Sequence, residues 1–196
     1  MEIINCQQNT PEWDLCRLGM LGASEAQAIS ANGAGLKTLV NKLVAERLTG
    51  KKENGYINAD MERGHELEME ARNAYELETG NTVKEVGYCK LDEFTGCSPD
   101  GFIGDDGLVE IKNFKDSTFV DYMFTEKIDT GYEWQMQMQM YVTNRLWCDY
   151  VVYNPNFRKS LIIKRIERDF VAIEKIKAGL ETGKAMIQTM LSKINN

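Results

Sequence analysis

The chain has 196 residues, of which 43% are apolar and 27% are charged, and its 30 acidic and 23 basic residues give a formal net charge of -7. This length suits one well-packed domain. The negative charge argues against general adhesion to nucleic acid or to anionic membranes, because both attractions require positive surface charge.

The few cysteines and histidines exclude several kinds of site. The five cysteines are scattered and form no Cys-x-x-Cys pair, which excludes an iron-sulfur or zinc cluster and indicates reduced structural thiols. The single histidine, His65, cannot supply the paired histidines of a zinc hydrolase. The side chains that remain as candidates for a catalytic site are carboxylates and lysines.

The chain carries no pattern of a membrane or secreted protein. No apolar run reaches the roughly 18 residues of a membrane span, and the N-terminal sequence MEIINCQQNTPEWD lacks the layout of a signal peptide. We therefore expect a cytoplasmic protein without a membrane partner.

The first half of the chain is predicted to be mainly helical. Ser24 opens the segment ASEAQAIS with Gln27 three residues later, which is the capping-box pattern of a helix N-terminus. In LKTLVNKLVAERLTG, apolar residues recur at helical spacing, and Gly50 is placed to end that helix. The segment MERGHELEMEARNAYELETG consists mostly of good helix formers and stops at Gly80.

The second half is predicted to contain strands, followed by a long helix. The runs TVKEVGYCKL, GLVEIKNF, CDYVVYN and KSLIIKRIERD are rich in strand formers and bounded by turn residues. QMQMQMYV alternates like a strand, but we predict a helix because Gln and Met favour helices. From Asp169 onward, helical spacing of apolar residues predicts a C-terminal helix, with Gly183 as a candidate break. Helices thus flank a central group of strands.

The stretch SPDGFIGDDGLVEIK, residues 98–112, collects two carboxylates and a lysine around one hairpin. Glu110 and Lys112 share a strand face, and the GFIGDDG turn is expected to bring Asp100 near Glu110. Converging carboxylates repel each other unless a cation lies between them, and oxygen ligands favour Mg²⁺ or Mn²⁺. Lys112 could orient a water or stabilise charge on a reacting phosphate. An ordinary surface hairpin with a Glu-Lys pair has the same spacing, so the residues alone leave both interpretations open.

Six segments in order resemble the PD-(D/E)xK nuclease superfamily and, within it, the phage lambda exonuclease group, also called YqaJ-type viral recombinases. They are RLGMLGAS, RGHELEMEAR, GCSPDG, GLVEIK, YEWQMQMQMYVT and IERD, and the resemblance as a whole covers residues 11–169. The resemblance implies one α/β domain over residues 1–196. It would have a restriction-endonuclease-like core, with a central mixed β-sheet flanked by helices and a C-terminal helix over residues 170–196.

The resemblance also implies a site for two Mg²⁺ ions, which Mn²⁺ would replace. The implied ligands and the catalytic lysine are Asp100, Glu110, the backbone carbonyl of Ile111, Glu68 and Lys112. Glu68 lies on the small and apolar side of its helix, which supports an inward-facing carboxylate. An ordinary ion pair with Arg72 four residues later suits Glu68 as well.

Further residues match positions that bind the DNA end in the family. Those implied to hold its 5′-phosphate are Arg17, Ser24, Ser98 and Gln135. Guanidinium and hydroxyl groups suit a terminal phosphate, and a helix N-terminus at Ser24 would add backbone amides. Structural roles are also open: capping for Ser24, a surface charge for Arg17 and a buried amide for Gln135. Met61 aligns with an apolar wedge that parts the terminal base pairs, although a core methionine fits equally well.

The resemblance implies a metal-dependent exonuclease that degrades linear double-stranded DNA from a 5′-phosphorylated end. It would release 5′-mononucleotides and leave a 3′ overhang for a phage single-strand annealing protein, in the cytoplasm of a bacterial host. Family members form homotrimeric rings, so basic residues need to line only a central channel. Candidate contacts are Lys51, Lys52, Arg63 and the five basic residues from Arg158 to Arg168.

Two other functions remain open from the sequence. The same fold could serve a structure-specific or junction endonuclease, since the superfamily acts on many substrates. The chain could instead be a catalytically silent module that binds DNA ends or proteins. The presence of Glu68, Asp100, Glu110 and Lys112 argues against the silent module.

Overall fold

The computed structural model describes residues 1–52 and 59–194, and for residues 59–66 it describes the backbone alone. Its helices are α1 (Pro11–Arg17), α2 (Ala26–Ala31), α3 (Ala34–Thr49), α4 (Ala59–Thr79), α5 (Asp116–Thr125), α6 (Thr130–Thr143) and α7 (Phe170–Ile194). Its strands are β1 (Glu2–Ile4), β2 (Leu21–Gly22), β3 (Val83–Lys84), β4 (Tyr88–Lys90), β5 (Thr95–Cys97), β6 (Gly101–Ile103), β7 (Gly107–Asn113), β8 (Trp147–Tyr153) and β9 (Leu161–Glu167). A short 3-10 turn, Ala23–Glu25, joins β2 to α2.

The strands form two mixed sheets, which confirms the predicted α/β class. One sheet has the order β1-β4-β5-β2 and the other has the order β3-β6-β7-β8-β9. In the larger sheet, β7 and β8 run parallel from Gly107↔Trp147 to Asn113↔Tyr153, and β9 closes the edge in antiparallel register. The run TVKEVGYCKL, predicted as one strand, is divided between the two sheets. The chain changes sheets around Gly87, where a Cβ would overlap with the backbone of Cys6.

Strand β7 is covered on both faces. Val109 and Ile111 pack with Ala71 and Tyr75 of α4 in one apolar cluster. Leu108, on the opposite face, belongs to the larger cluster, which includes the methionines of α6 and apolar residues of α7. A strand buried in this way has no solvent face, so any charged group on it must find its partners inside the protein.

The principal predicted helices are present. Helix α3 ends at Gly50, whose φ of +66° lets its N–H bond to the carbonyl of Glu46 at 2.9 Å. Gly80, with φ of +70°, ends α4 in the same way. The alternating segment QMQMQMYV is helical in α6, as predicted. Its methionines lie on different helix faces yet are all buried, because α6 is enclosed by α2, α7 and strands of both sheets.

Two local predictions are wrong. Ser24 does not cap a helix: the chain enters the 3-10 turn first, and the Ser24 hydroxyl donates to Glu25 Oε2 at 2.8 Å. Helix α7 does not break at Gly183. The helix is closely packed at this position, because a Cβ on Gly183 would lie 3.2 Å from Leu21 and 3.3 Å from Leu36.

Within the part of the chain that the structure describes, no helix combines the length and the apolar character needed to cross a membrane.

Replacing Gly179 with alanine tests the packing of α7 on α2. A Cβ at Gly179 would overlap with the backbone carbonyl of Ile29, so the two helices must separate. We expect Gly179→Ala to lower the free energy of unfolding by about 1–3 kcal/mol, as overpacking does, in urea denaturation. Gly35→Ala is the matched control, because its Cβ would lie 3.5 Å from Ala28 and helix propensity predicts a gain of about 0.5 kcal/mol. Equal effects of the two substitutions would contradict the close approach of α2 and α7.

Candidate active site

The hairpin of β6 and β7 brings Asp100 to the middle of β7. Gly101 pairs with Val109 in antiparallel register, so Asp100, which directly precedes β6, lies beside Glu110. The N–H of Ile111 donates to Asp100 Oδ2 at 2.6 Å. The fold-back predicted for this stretch is therefore present, although Asp100 comes before a short strand and not at the turn itself.

The carboxylate of Glu110 is buried and receives three hydrogen bonds. Only 1% of its surface is exposed. Lys112 Nζ and Gln135 Nε2 both donate to Oε1 at 2.6 Å, and Gln139 Nε2 donates to Oε2 at 2.7 Å. A buried carboxylate is tolerated only when donors of this kind replace its hydration. The three donors therefore fix the orientation of the Glu110 carboxylate.

The alternating glutamines of α6 divide between two tasks. Gln135 and Gln139, one turn apart, face Glu110, whereas Gln137 donates to the carbonyl of Glu167 at 2.9 Å on the other side of the helix. The spacing predicted the shared face of Gln135 and Gln139. The contact of Gln139 with Glu110 was missed, since periodicity does not say what a face contacts.

Lys112 is held as an ammonium ion. Burial by itself would lower its pKa, but the carboxylates of Glu110 and Asp100 outweigh burial and raise the pKa above the usual range of lysine. Its Nζ also lies 4.5 Å from the centre of the Tyr132 ring, a further favourable contact for a cation. Lys112 is thus a hydrogen-bond donor and a fixed positive charge.

Asp100 is the strained member of the cluster. Enclosure by protein raises its pKa well above the usual range, and the neighbouring charges of Glu110 and Glu68 raise it further. The charge of Lys112 and the N–H of Ile111 oppose that rise without cancelling it. A carboxylate in this position gains from a nearby cation.

The donor set fits a hard divalent cation. Asp100 and Glu110 offer carboxylate oxygens, which Mg²⁺ and Mn²⁺ prefer, and the repulsion between the two carboxylates is what such an ion would relieve. Among the residues described, no three His, Cys, Asp or Glu side chains form a group that could hold a metal ion. The roles of the Ile111 carbonyl and of Glu68 as ligands therefore stay predictions.

Glu68 makes the ion pair that the sequence left open, and its role as a metal ligand stays a prediction. Its Oε1 accepts from Arg72 at 3.0 Å, the ion pair expected for residues four apart on a helix, and Arg72 also pairs with Glu85. Glu68 nevertheless lines a second cleft of about 830 Å³ together with Asp100. Its charge acts on the pKa of Asp100, so it belongs to the same electrostatic cluster.

The four residues implied to hold a phosphate all line one cleft of about 220 Å³. That cleft contains Arg17, Ser24, Ser98, Gln135, Asp100, Glu110 and Lys112. They come from α1, the 3-10 turn, the β5–β6 connection, β7 and α6, so the fold gathers distant parts of the chain at one place. The cleft joins a cationic and hydroxyl-bearing end to the carboxylate cluster.

Trp13 organises the cationic end of the cleft. The guanidinium of Arg17 lies 4.1 Å from the centre of the Trp13 ring, and Trp13 Nε1 donates to Ser98 Oγ at 2.8 Å. Arg17 is therefore half-buried and stacked on Trp13 at the wall of the cleft. Trp13 precedes Arg17 by four residues on α1, a spacing that could have suggested the stacking.

Several other candidates are engaged elsewhere or lie outside the described side chains. Ser24 donates to Glu25 and Gln135 to Glu110, so neither has its side chain free. Lys52 lines the cleft but pairs with Asp14 at 2.9 Å. The predictions for Met61, Arg63 and His65 fall outside the side chains that the structure describes.

Comparison with known proteins points to one group. The family model described as a YqaJ-like viral recombinase domain matches residues 12–146. An alkaline exonuclease from Laribacter hongkongensis, solved alone and in complex with dAMP, has 37% sequence identity and a TM-score of 0.83, over 95% of this chain and 98% of that chain. A phage related exonuclease from Haemophilus somnus 129PT shares the fold, with 17% identity and a TM-score of 0.69 over 89% of this chain and 96% of that chain. No curated protein matches significantly.

Asp100→Asn tests the electrostatic strain in the metal-free protein. Because the pKa of Asp100 is raised by folding, its favourable contribution is present below the ordinary aspartate pKa of about 4 and is lost as the pH rises toward the folded-state pKa. We expect the neutral asparagine to increase the free energy of unfolding by about 1–2 kcal/mol at neutral pH. The gain should disappear in acid. Urea denaturation across a pH series, with a chelator present, measures it.

Asp92→Asn is the control of opposite sign. Although burial by itself would raise the pKa of Asp92, its bonds with Lys184 and with the Phe94 N–H lower it. Its stabilising contribution is present above the ordinary aspartate pKa and is lost as the pH falls, so the substitution should destabilise the protein at neutral pH only. If both substitutions changed stability with the same sign and pH dependence, the strain assigned to Asp100 would be wrong.

Proposed function

The chain belongs to the YqaJ-like viral recombinase domain family, and from this premise we propose that it is a metal-dependent exonuclease acting on linear double-stranded DNA. It hydrolyses one strand from a 5′-phosphorylated end, releases 5′-mononucleotides and leaves a 3′ overhang. The observation that carries the proposal is the single cleft in which Asp100, Glu110 and Lys112 meet Arg17 and Ser98.

The similar solved structures support the same class of chemistry. The Laribacter hongkongensis protein is an alkaline exonuclease, and one of its structures contains dAMP, a deoxynucleoside monophosphate. The identity of 37% extends over nearly the whole of both chains. Phosphodiester hydrolysis of DNA is therefore the activity that we assign to this cleft.

The residues of the cleft have separable tasks in this reaction. Asp100 and Glu110, with the carbonyl of Ile111 and with Glu68, would hold Mg²⁺ or Mn²⁺, and two such ions supply Lewis acidity for phosphodiester hydrolysis. Lys112, as an ammonium ion, stabilises negative charge that develops on the reacting phosphate or orients the attacking water. Gln135 and Gln139 keep the Glu110 carboxylate in one orientation, which places the ligand before the substrate arrives.

The opposite end of the cleft suits a terminal phosphate. Arg17 presents a guanidinium and Ser98 a hydroxyl, and both groups bind phosphate oxygens well. Ser24 lies in the same cleft and would exchange its bond to Glu25 for one to the phosphate. Gln135 donates to Glu110, so a phosphate that bound to Gln135 would act directly on the position of the catalytic carboxylate.

The assembly and the partners are proposed from the family alone. A homotrimeric ring around the DNA would let an acidic chain bind duplex, because only the channel needs positive charge. The 3′ overhang would pass to a phage single-strand annealing protein. Expression from a phage or prophage would place the enzyme in the cytoplasm of a bacterial host.

A digestion assay on three substrates tests the proposed reaction. With Mg²⁺ present, we expect loss of a linear duplex with 5′-phosphates, slower loss of the same duplex with 5′-hydroxyls and no cutting of a relaxed closed circle. Lys112→Ala should reduce the rate by about 10²-fold or more, as loss of a transition-state contact does. Lys177→Ala, which removes an exposed lysine of α7 paired with Glu174, is the control and should keep full activity.

The other results of this assay identify the competing functions. Cutting of the closed circle would replace the exonuclease with an endonuclease of the same fold. Binding of DNA ends without digestion of any substrate, with either Mg²⁺ or Mn²⁺, would make the chain a catalytically silent module.

Thermal unfolding with and without Mn²⁺ tests the metal site independently of activity. A ligand that binds only the folded state at about 100 times its dissociation constant stabilises it by about 2.7 kcal/mol. We expect such a gain for the unaltered chain, little for Asp100→Asn or Glu110→Gln, and a smaller gain in acid because Asp100 must lose its proton. Asp92→Asn should retain the full effect. Equal stabilisation of all four proteins would place the metal elsewhere.

A further inference from the structure

Two neighbouring residues of α3 bind the backbone N–H and the backbone carbonyl of one residue, Gly19, in the loop between α1 and β2. Glu46 Oε2 accepts from the N–H of Gly19 at 3.0 Å, and Arg47 Nε donates to the Gly19 carbonyl at 2.7 Å. Glu46 is only 4% exposed. A carboxylate buried to this extent is costly unless it makes a specific contact, and here its contacts are the amide of Gly19 and Lys42 at 4.0 Å.

The backbone conformation of Gly19 and the space around it allow both contacts. Its φ of +66° lies in the left-handed region, and an added Cβ would overlap with the side chain of Arg47 and lie 3.1 Å from the Leu43 carbonyl. The backbone therefore turns directly against α3. Arg17 precedes this turn by two residues and Ser24 follows it by five, so the turn separates two of the residues that line the phosphate end of the cleft.

Arg47 also contacts the chain segment that leads into β5. One of its terminal nitrogens donates to the Glu93 carbonyl at 2.8 Å, and its guanidinium lies 4.6 Å from the centre of the Phe94 ring. The carbonyl of Phe94 in turn accepts from Leu21 N at 2.7 Å. This segment leads into β5 and then to Ser98, which lines the same cleft as Arg17.

We propose that Glu46 and Arg47 are positioning residues for recognition of the terminal phosphate. They form a clamp that fixes Gly19, and through it Arg17, relative to the segment that carries Ser98. The inference deepens the proposed function and depends on it, because the phosphate end of the cleft is the element being positioned. A guanidinium fork with two carbonyl acceptors holds two segments in a defined geometry, which the single point charge of a lysine does not.

A purely structural role makes a different prediction. If the clamp only stabilised the fold, its loss would weaken binding of every DNA end to the same extent. If it sets the spacing of Arg17 and Ser98, its loss weakens binding of phosphorylated ends selectively, since a shift of about 1 Å is enough to misplace a bound group. The ratio of the two affinities therefore separates the roles.

The test is binding of 5′-phosphoryl and 5′-hydroxyl duplexes, measured by fluorescence anisotropy in chelator so that no hydrolysis occurs. We expect the unaltered chain to prefer the phosphorylated end, and Glu46→Ala and Arg47→Lys to reduce that preference by about tenfold with little change for the hydroxyl end. Glu46→Gln keeps an acceptor for the Gly19 N–H and should retain the preference. Lys37→Ala, at an exposed position of α3, is the control for loss of a cation.

The outcomes separate failure of the clamp from failure of the proposed function. A preference that persists in both Glu46→Ala and Arg47→Lys, or that falls together with affinity for hydroxyl ends, overturns the clamp and leaves the phosphate cleft standing. An unaltered chain without any preference overturns both the cleft and the clamp. Thermal unfolding of each variant confirms that it is folded, and Arg47→Lys, which keeps charge and most of the packing, decides the question if Glu46→Ala does not fold.

Discussion

The burial of the Glu110 carboxylate is the constraint on which the rest of this structure depends. A negative charge inside a covered strand is unfavourable by several kcal/mol unless donors replace water. Three donors do so, one from β7 itself and two from α6. Helix α6 must therefore lie across β7 at one rotation about its axis, because any other rotation would leave the charge without its amides. The methionines between those glutamines fill the space that this rotation leaves.

The two faces of β7 contact different helices and different parts of the site. On one face, Val109 and Ile111 pack against α4 and bring Glu68 toward Asp100. On the other, Glu110 and Lys112 meet α6 and open into the cleft that reaches Arg17. One strand thus fixes the distance between the carboxylate cluster and both helices that complete it. Burial of Asp100, together with the neighbouring charges of Glu110 and Glu68, raises the pKa of its carboxyl group.

Local signals in the sequence were sufficient for the elements whose structure is decided locally. Gly50 and Gly80 end α3 and α4 because a left-handed residue closes the last turn in any surroundings. The helical spacing of α3 and the convergence of Asp100 with Glu110 followed from periodicity and a hairpin. The assignment of α6 rested on the helix propensity of Gln and Met, which outweighed their alternating pattern.

What sequence reasoning missed depends on partners far away in the chain. Trp13 contributes to the site because it donates a hydrogen bond to Ser98, and Glu46 because it accepts one from the N–H of Gly19. No local pattern reports either contact. The capping box at Ser24 failed for the same reason, since pairing of β2 with β5 directs the chain into a 3-10 turn first. Gly183, a poor helix former, stays within α7 because the helix packs on Leu21 and Leu36 at this position.

The position of α7 has a consequence for biosynthesis. Its residues Ile176, Leu180 and Ile187 complete the apolar cluster begun by Leu21, Ile29 and Leu36 near the start of the chain. Helices α2 and α3 emerge from the ribosome long before α7, on which they pack. The apolar faces of α2 and α3 therefore stay exposed during most of translation. Exposed apolar surface on nascent chains leads to aggregation or to binding of chaperones.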